Sequence, residues 1–199
     1  MKIGIFGGTF DPPHMGHLIL AEEACWQLQL DHVLWVLTPF PPHKKDRIIS
    51  PVQDRLSMVQ FAITENDRFK LSRVDIDRQP PHYAVDTVSI LQQSSVNDEF
   101  YYLMGADSLI DLPTWHNPIE FVSLCHGLGI MMRHEESIDI NQLEPKIPGL
   151  FEKLLFIDTP IIQISGSDIR KRVKKGLNFR YFVPDMVYHY ILDHDLYQS

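Results

Sequence analysis

The stretch KIGIFGGTFDPPHMGH, residues 2–17, sets the reading of the rest of the chain. Its apolar beginning predicts a short buried strand over residues 3–6. From residue 15 to 29, Leu18, Ala21, Cys25 and Leu28 recur at spacings of three and four, as on one face of an amphipathic helix. Between strand and helix stand Gly7, Gly8, two prolines, and the histidines His14 and His17. Glycines can adopt backbone angles closed to other residues and let the main chain approach a ligand closely. A helix opening at Met15 or Gly16 would add unpaired amides and partial positive charge, which together make an anion site. A tight turn with no ligand is the alternative for the glycine pair. The spacing matches neither the kinase-type phosphate loop nor the dinucleotide fingerprint G-x-G-x-x-G.

Two histidines three residues apart, without an H-E-x-x-H pattern, make a weak zinc signal. At a helix start facing phosphates, imidazoles instead donate hydrogen bonds and, when protonated, contribute positive charge. That would stabilise charge developing on a leaving pyrophosphate. Isolated histidines are often structural, so this role depends on the motif around them.

Working outward, HVLWVL at residues 32–37 predicts a second strand. Four prolines between Pro39 and Pro51 exclude a helix interior or central strand and predict an excursion. A helix follows from near Pro51, with Val52, Leu56, Val59 and Ile63 in helical period. Residues 69–76 predict a strand with irregular ends, and YAVDTVSILQQ from Tyr83 predicts a helix. EFYYLMG from Glu99 is the clearest later strand. A short helix at 106–111, a loop LPTWHNP and a strand at 127–132 follow it. KLLFID and IIQIS are the last strand candidates, before helices at about 167–175 and 185–193. Residues 134–150, polar and interrupted by proline, read as a surface insertion.

Alternating strands and helices predict an α/β fold, a Rossmann-like, doubly wound, mostly parallel sheet with helices on both faces. Ligands in such sheets bind beyond the carboxyl ends of the strands. The loops after Phe6, Leu37, Met104 and Ile164 therefore share one rim.

With 199 residues and 44% hydrophobic content, the chain can bury a full core as one domain, residues 1–199. It holds no apolar run long enough to span a membrane, and Gly7 and Gly8 break the N-terminal apolar run too early for a secretory leader. A cytoplasmic location is expected. Two cysteines outside any C-x-x-C pair, Cys25 and Cys125, read as core packing. The net charge of -8 argues against a general nucleic-acid binder. A homo-oligomer is compatible with the sequence, which does not specify one.

The segment GGTFDPPHMGH resembles the (T/H)-x-G-H signature of the nucleotidyltransferase superfamily, with His14-Met15-Gly16-His17 in its position. In its longer form it is similar to bacterial nicotinate-nucleotide adenylyltransferases. PFPPHK at 39–44, HYAVDT at 82–87, GADSLIDLPTWH at 105–116, ISGSDIR at 164–170 and YILDHDLY at 190–197 follow in the expected order. The resemblance spans almost the whole chain, and its first and fourth segments are highly specific.

The resemblance implies transfer of the adenylyl group from ATP to nicotinate mononucleotide, giving deamido-NAD and pyrophosphate in NAD biosynthesis. The chemistry is self-consistent. A phosphate monoester is largely dianionic at neutral pH because its second pKa is about 6, so it can attack the α-phosphorus without a dedicated base. Catalysis then consists of alignment and charge stabilisation. Magnesium is expected as a cofactor, bound mainly through ATP phosphates, with no protein metal ligand.

By the same resemblance, the backbone at Gly7, Gly8 and Thr9 cradles ATP, His14 and His17 contact its phosphates, and Gly105 with Asp107 binds the nucleoside. A helix cap is the alternative for Asp107. In ISGSDIRKRVKK, Ser165 and Ser167 can cap a helix whose first turn carries Arg170, which joins the histidines as a catalytic candidate through its forked phosphate donors. The helical region from about residue 165 would thus complete the ATP site. Lys171, Arg172, Lys174 and Lys175 read as a solvated basic face. Gly166 and Ser167 depart from the family pattern I-S-S-T-x-I-R, and the glycine removes one phosphate contact.

For the second substrate, Trp115 resembles the family's ring-stacking residue, and Tyr83 closes the pocket. Backbone amides near Ala84 and His116 would serve the ring carboxylate. Ala84 departs from the family's usual threonine, so only its main-chain role carries over. His43 and Lys44, on the proline-rich excursion, would meet the substrate phosphate, with a solvated Lys44-Lys45 pair as the alternative. Asp11 reads as a turn or cap residue rather than a catalyst. Nicotinamide mononucleotide is the close alternative substrate, a noncatalytic nucleotide-binding module an alternative class. An NAD-dependent oxidoreductase is disfavoured by the missing fingerprint.

Overall fold

The opening run forms β1 (Lys2–Gly8), longer than the predicted strand because both glycines lie inside it. The computed structural model describes residues 1–40, 49–132 and 139–198. β1 pairs in parallel with β2 (His32–Leu37) on one side and β4 (Glu99–Gly105) on the other. Outside these lie β3 (Phe69–Ser72), β5 (Gly127–Met132) and β6 (Leu154–Asp158), giving one six-stranded parallel sheet in the order β3-β2-β1-β4-β5-β6. This is the doubly wound order, and it reverses direction between β1 and β4.

Strand pleating divides the apolar residues between two layers. Phe6, Val33, Trp35, Leu37 and Leu103 point to one face, where they meet α1 (Met15–Gln27), α2 (Val52–Ile63), α6 (Gly166–Lys174) and α7 (Asp185–Asp193). Ile3, Ile5, Val36, Phe100 and Leu128 point to the other, toward α3 (Ala84–Ser94), α4 (Ala106–Asp111) and α5 (Pro118–Leu124). Cys25 and Cys125 are buried, one in each layer. Close packing on the first face requires small residues in the sheet. A Cβ on Gly4 would lie 2.8 Å from Leu30 Cδ1, and one on Gly129 would lie 2.6 Å from Leu103 Cδ2.

Three expectations change. The strand predicted over residues 69–76 stops at Ser72, because the following segment turns to bury the Asp75 carboxylate at 3% exposure against Arg78 and Thr87. IIQIS forms no strand. It follows Pro160 beyond the edge strand β6, and Ile161 remains exposed, so its alternating pattern has no sheet partner. The stretch from 139 to 150 is not merely a surface insertion, since Leu143, Ile147 and Leu150 are buried in the second layer. Among the described residues, no helix is long and apolar enough to cross a membrane.

Candidate active site

The carboxyl end of β1 separates two cavities. Gly8, Thr9, His14, His17, Ser167 and Arg170 border the first, whereas Gly7, Thr38, Asp75, His82, Tyr83, Ala84, Trp115 and His116 border the second. The glycine pair therefore forms a shared wall. Its need for glycine is steric, not conformational, which corrects the expected turn role. Gly7 and Gly8 are strand residues paired with Val36 and Leu37. A Cβ at Gly7 would sit 2.7 Å from the Tyr102 hydroxyl, and one at Gly8 would sit 2.8 Å from the Phe10 ring. The left-handed turn residue is Phe10, at φ 47°.

In the first cavity, α1 begins at Met15 with His14 at its N-cap. The His14 backbone N–H donates to His17 Nδ1 at 3.2 Å. In a neutral ring this puts the His17 proton on Nε2, leaving that atom as the donor. The two imidazoles stack 3.6 Å apart, while Phe6 and Phe10 pack edgewise on His17 and fix its plane. Opposite them, Ser165 caps α6 by accepting from the Asp168 N–H at 3.1 Å. Ser167 lies inside the first turn rather than at the cap. Arg170 comes one turn in, later than predicted, because α6 starts at Gly166.

Arg170 Nη1 donates to the Asp11 carbonyl at 2.6 Å, tying α6 to the loop after β1. Asp11 is itself buried. It accepts from the Tyr197 hydroxyl at 2.7 Å and the Ser50 N–H at 3.4 Å and caps no described helix. Burial and Asp11 together push the Tyr197 hydroxyl above its ordinary range, so it stays a donor. Glycine at 166 also has a steric reason here. A Cβ on Gly166 would lie 3.0 Å from the Asp11 carbonyl oxygen that Arg170 grips.

In the second cavity, Tyr83 and His116 stack at 4.1 Å, and Trp115 stands edge-on to Tyr102 and tilted on Phe121. Ala84 is the first residue of α3, so its N–H belongs to a half-buried helix start beside these rings. Below, Arg78 donates to Asp75, to the carbonyls of Pro81 and Tyr83, and to the Thr87 hydroxyl, fixing the loop that carries Tyr83. Gly105 ends β4 and caps α4 with open space around it, and Asp107 is exposed in that helix's first turn. Gly105, not Asp107, is the N-cap, which removes the capping alternative. Gly105, Asp107 and Ser165 lie outside the linings of both cavities. His43 and Lys44 lie outside the described residues.

These cavities belong to a recognisable lineage. A cytidylyltransferase-like family model matches residues 5–172. The nicotinate-nucleotide adenylyltransferase of Bacillus subtilis (strain 168) is 37% identical over 202 residues, covering 100% of this chain and 99% of that protein. A Thermomicrobium roseum protein named "Probable nicotinate-nucleotide adenylyltransferase" is 43% identical over 198 residues, covering 100% of this chain and 92% of its own length. The chain belongs to the nicotinate-nucleotide adenylyltransferase family. The fold agrees: Plasmodium falciparum nicotinic acid mononucleotide adenylyltransferase complexed with NaAD superposes with a TM-score of 0.80 at 20% identity, covering 98% of this chain and 97% of that one.

Within this adenylyltransferase frame, the residue of greatest reach that motif reading missed is Arg55. It is 1% exposed and donates to four carbonyls: Ser50 at 2.9 Å, Thr9 at 3.1 Å, Thr38 at 3.0 Å and Pro39 at 2.8 Å. It thereby joins the loop after β1 to both described ends of the proline-rich excursion. Its signal in the sequence was a charge on the apolar face of α2, beside Val52, Leu56 and Val59. Asp75, Arg78 and His82 carried no comparable pattern.

Proposed function

We propose that the protein transfers the adenylyl group of ATP to nicotinate mononucleotide, forming nicotinate adenine dinucleotide and pyrophosphate, as an NAD-biosynthetic enzyme. The observation that carries this reading is the pair of cavities meeting at Gly7 and Gly8. One is lined by phosphate donors and the other by aromatic rings, and the adenylyl group would be exchanged between them.

The phosphate-side cavity supplies the ATP site. Backbone at Gly7, Gly8 and Thr9 borders the triphosphate, with His14, His17, Ser167 and Arg170 directed at it; Ser165 supports this arrangement from the α6 cap. Gly105 and Asp107, at the neighbouring strand end, take the nucleoside, Asp107 accepting from the ribose hydroxyls. Tyr83, Trp115 and His116 enclose the pyridine ring, while main-chain amides at Ala84 and His116 meet its carboxylate. His43 and Lys44 are assigned to the acceptor phosphate.

In the reaction, an acceptor phosphate oxygen attacks the α-phosphorus of ATP. The bond from that phosphorus to the bridging oxygen breaks, and pyrophosphate leaves with the bonding electrons. His17 Nε2–H and the Arg170 guanidinium stabilise the departing charge. His14 holds His17 in place by stacking and through its backbone N–H. No covalent enzyme intermediate is required.

Imidazole, hydroxyl and guanidinium donors suit phosphate oxygens, and the Asp11 carboxylate is engaged by Tyr197 and Ser50. This donor set fits magnesium that arrives bound to the triphosphate, where it offsets phosphate charge and keeps several waters. The chain is taken to act as one nucleotidyltransferase unit, 1–199, in the cytoplasm.

The test is pyrophosphate release from magnesium and ATP, with nicotinate mononucleotide and nicotinamide mononucleotide supplied separately. Preference for the acid is expected. Preference for the amide would overturn the substrate assignment, and no release with either from folded protein would overturn the reaction.

A further inference from the structure

Among the described residues, two buried ring nitrogens besides those of the stacked His14–His17 pair deserve comparison: Trp35 Nε1 and His82 Nδ1 each lack a hydrogen-bond partner. Trp35 lies within an aromatic cluster with Phe6, Phe10 and Phe69, where its packing accounts for its place. His82 differs. It is 4% exposed, stacks on Phe40 with the rings 6.1 Å apart, and borders the aromatic cavity. A buried polar atom without a partner is costly to keep, so its retention in a cavity wall points to a partner that arrives with a ligand.

We propose that His82 is a specificity-determining residue whose imidazole N–H donates to the ring carboxylate of the acceptor nucleotide, favouring the acid over the amide. The inference rests on the adenylyltransfer reading above and deepens it.

Of the other titratable groups in this wall, His116 stacks on Tyr83, and Asp75 is held by Thr87 and by Arg78 behind it. Asp75 Oδ1 accepts from Thr87 at 2.7 Å and from Arg78 Nε at 3.0 Å. Arg78 also donates to the carbonyls of Pro81 and Tyr83 and to Thr87, and its Nη1 lies 3.5 Å from the Asp86 carboxylate. His82 is two residues before Ala84, whose N–H opens α3 beside the same rings, so side chain and main chain can converge on one exocyclic group. Burial lowers the His82 pKa, with Arg78 acting in the same direction and Asp75 against it. The ring therefore waits neutral, with one N–H to give. That N–H makes a stronger bond to a carboxylate oxygen than to the neutral oxygen of a carboxamide.

The experiment compares wild type with His82→Phe, which keeps a ring against Phe40 but removes both nitrogens, and with His82→Asn, whose amide nitrogen falls near the position of Nδ1. Steady-state pyrophosphate release is measured with each pyridine nucleotide. His82→Phe should raise KM for nicotinate mononucleotide about tenfold and lower the acid-to-amide ratio of kcat/KM to match, with KM for ATP within about twofold. His82→Asn should recover most of that ratio. An unchanged ratio in folded His82→Phe overturns the inference alone, whereas a silent wild type overturns the reaction on which it rests.

Should His82→Phe fail to fold, wild-type protein with 15N-labelled histidine decides the question. The His82 Nδ1 resonance, assigned through His82→Asn, should move on saturation with the acid and move less with the amide. Equal shifts with both, or none with the acid, overturn the proposal.

Discussion

The His17 ring accepts from the N-cap N–H of its own helix through Nδ1 and borders the cavity that Ser167 and Arg170 also line. Replacing it therefore has two separable costs. His17→Ala should lower kcat by on the order of 100-fold while KM for ATP changes much less, because its donor acts chiefly on charge that develops during the reaction. The same variant should lose about 1 kcal/mol of stability by unfolding titration, as the helix start loses its acceptor. Trp115→Ala should act on the other substrate, raising KM for nicotinate mononucleotide by about tenfold and leaving KM for ATP nearly unchanged. Equal effects on both substrates would remove Trp115 from the ring pocket. Motif spacing led to His14, His17, Ser167 and Arg170, which the fold brings to one cavity. It misjudged Gly7 and Gly8, whose reason for being glycine lies in the distant Tyr102 and the nearby Phe10 ring. His82 was invisible for a related reason, since a buried orphan nitrogen is a property of the packed structure.

At the scale of elements, Arg55 is the point where α2 holds the loops around the site. Its guanidinium is almost wholly buried, and four carbonyls replace the water it would otherwise bind. Lysine keeps the charge but not the planar fork. Arg55→Lys should therefore cost about 3 kcal/mol in unfolding free energy. It should also raise KM for both substrates, because Thr9 borders one cavity and Thr38 the other. A change confined to one substrate would refute this joining role. Periodicity made the strands and most helices legible, but not where they end. β3 stops early to bury Asp75, while IIQIS has strand-like alternation and no neighbour to pair with. Both outcomes depend on contacts with residues remote in sequence, which a local pattern does not contain.

For the whole molecule, two histidines tie stability to pH. Burial lowers the pKa of both His32 and His82; Lys70 adds to the effect at His32, and Asp31 opposes it. An unfolded histidine titrates at about 6.5, so below that pH the unfolded chain binds protons that the native state refuses. Native stability should fall as pH drops below about 6.5 toward the lower folded values. Thermal midpoints at pH 7.5 and 5.5, without nucleotide, would show the loss, and His82→Phe should reduce it. An unchanged difference in that variant would assign the effect to other groups.

The place of β1 in the sheet also governs how the protein can be assembled. β1 is central in the sheet, and one of its two partners begins only at Glu99. Until that partner emerges from the ribosome, β1 has one side of unpaired amides and carbonyls, and Ile3 and Ile5 lack much of the layer that later covers them. Joining such distant segments is slow, and partly built parallel sheets are prone to stick to one another. The wall between the two cavities is thus translated well before Tyr102, the residue that Gly7 packs against.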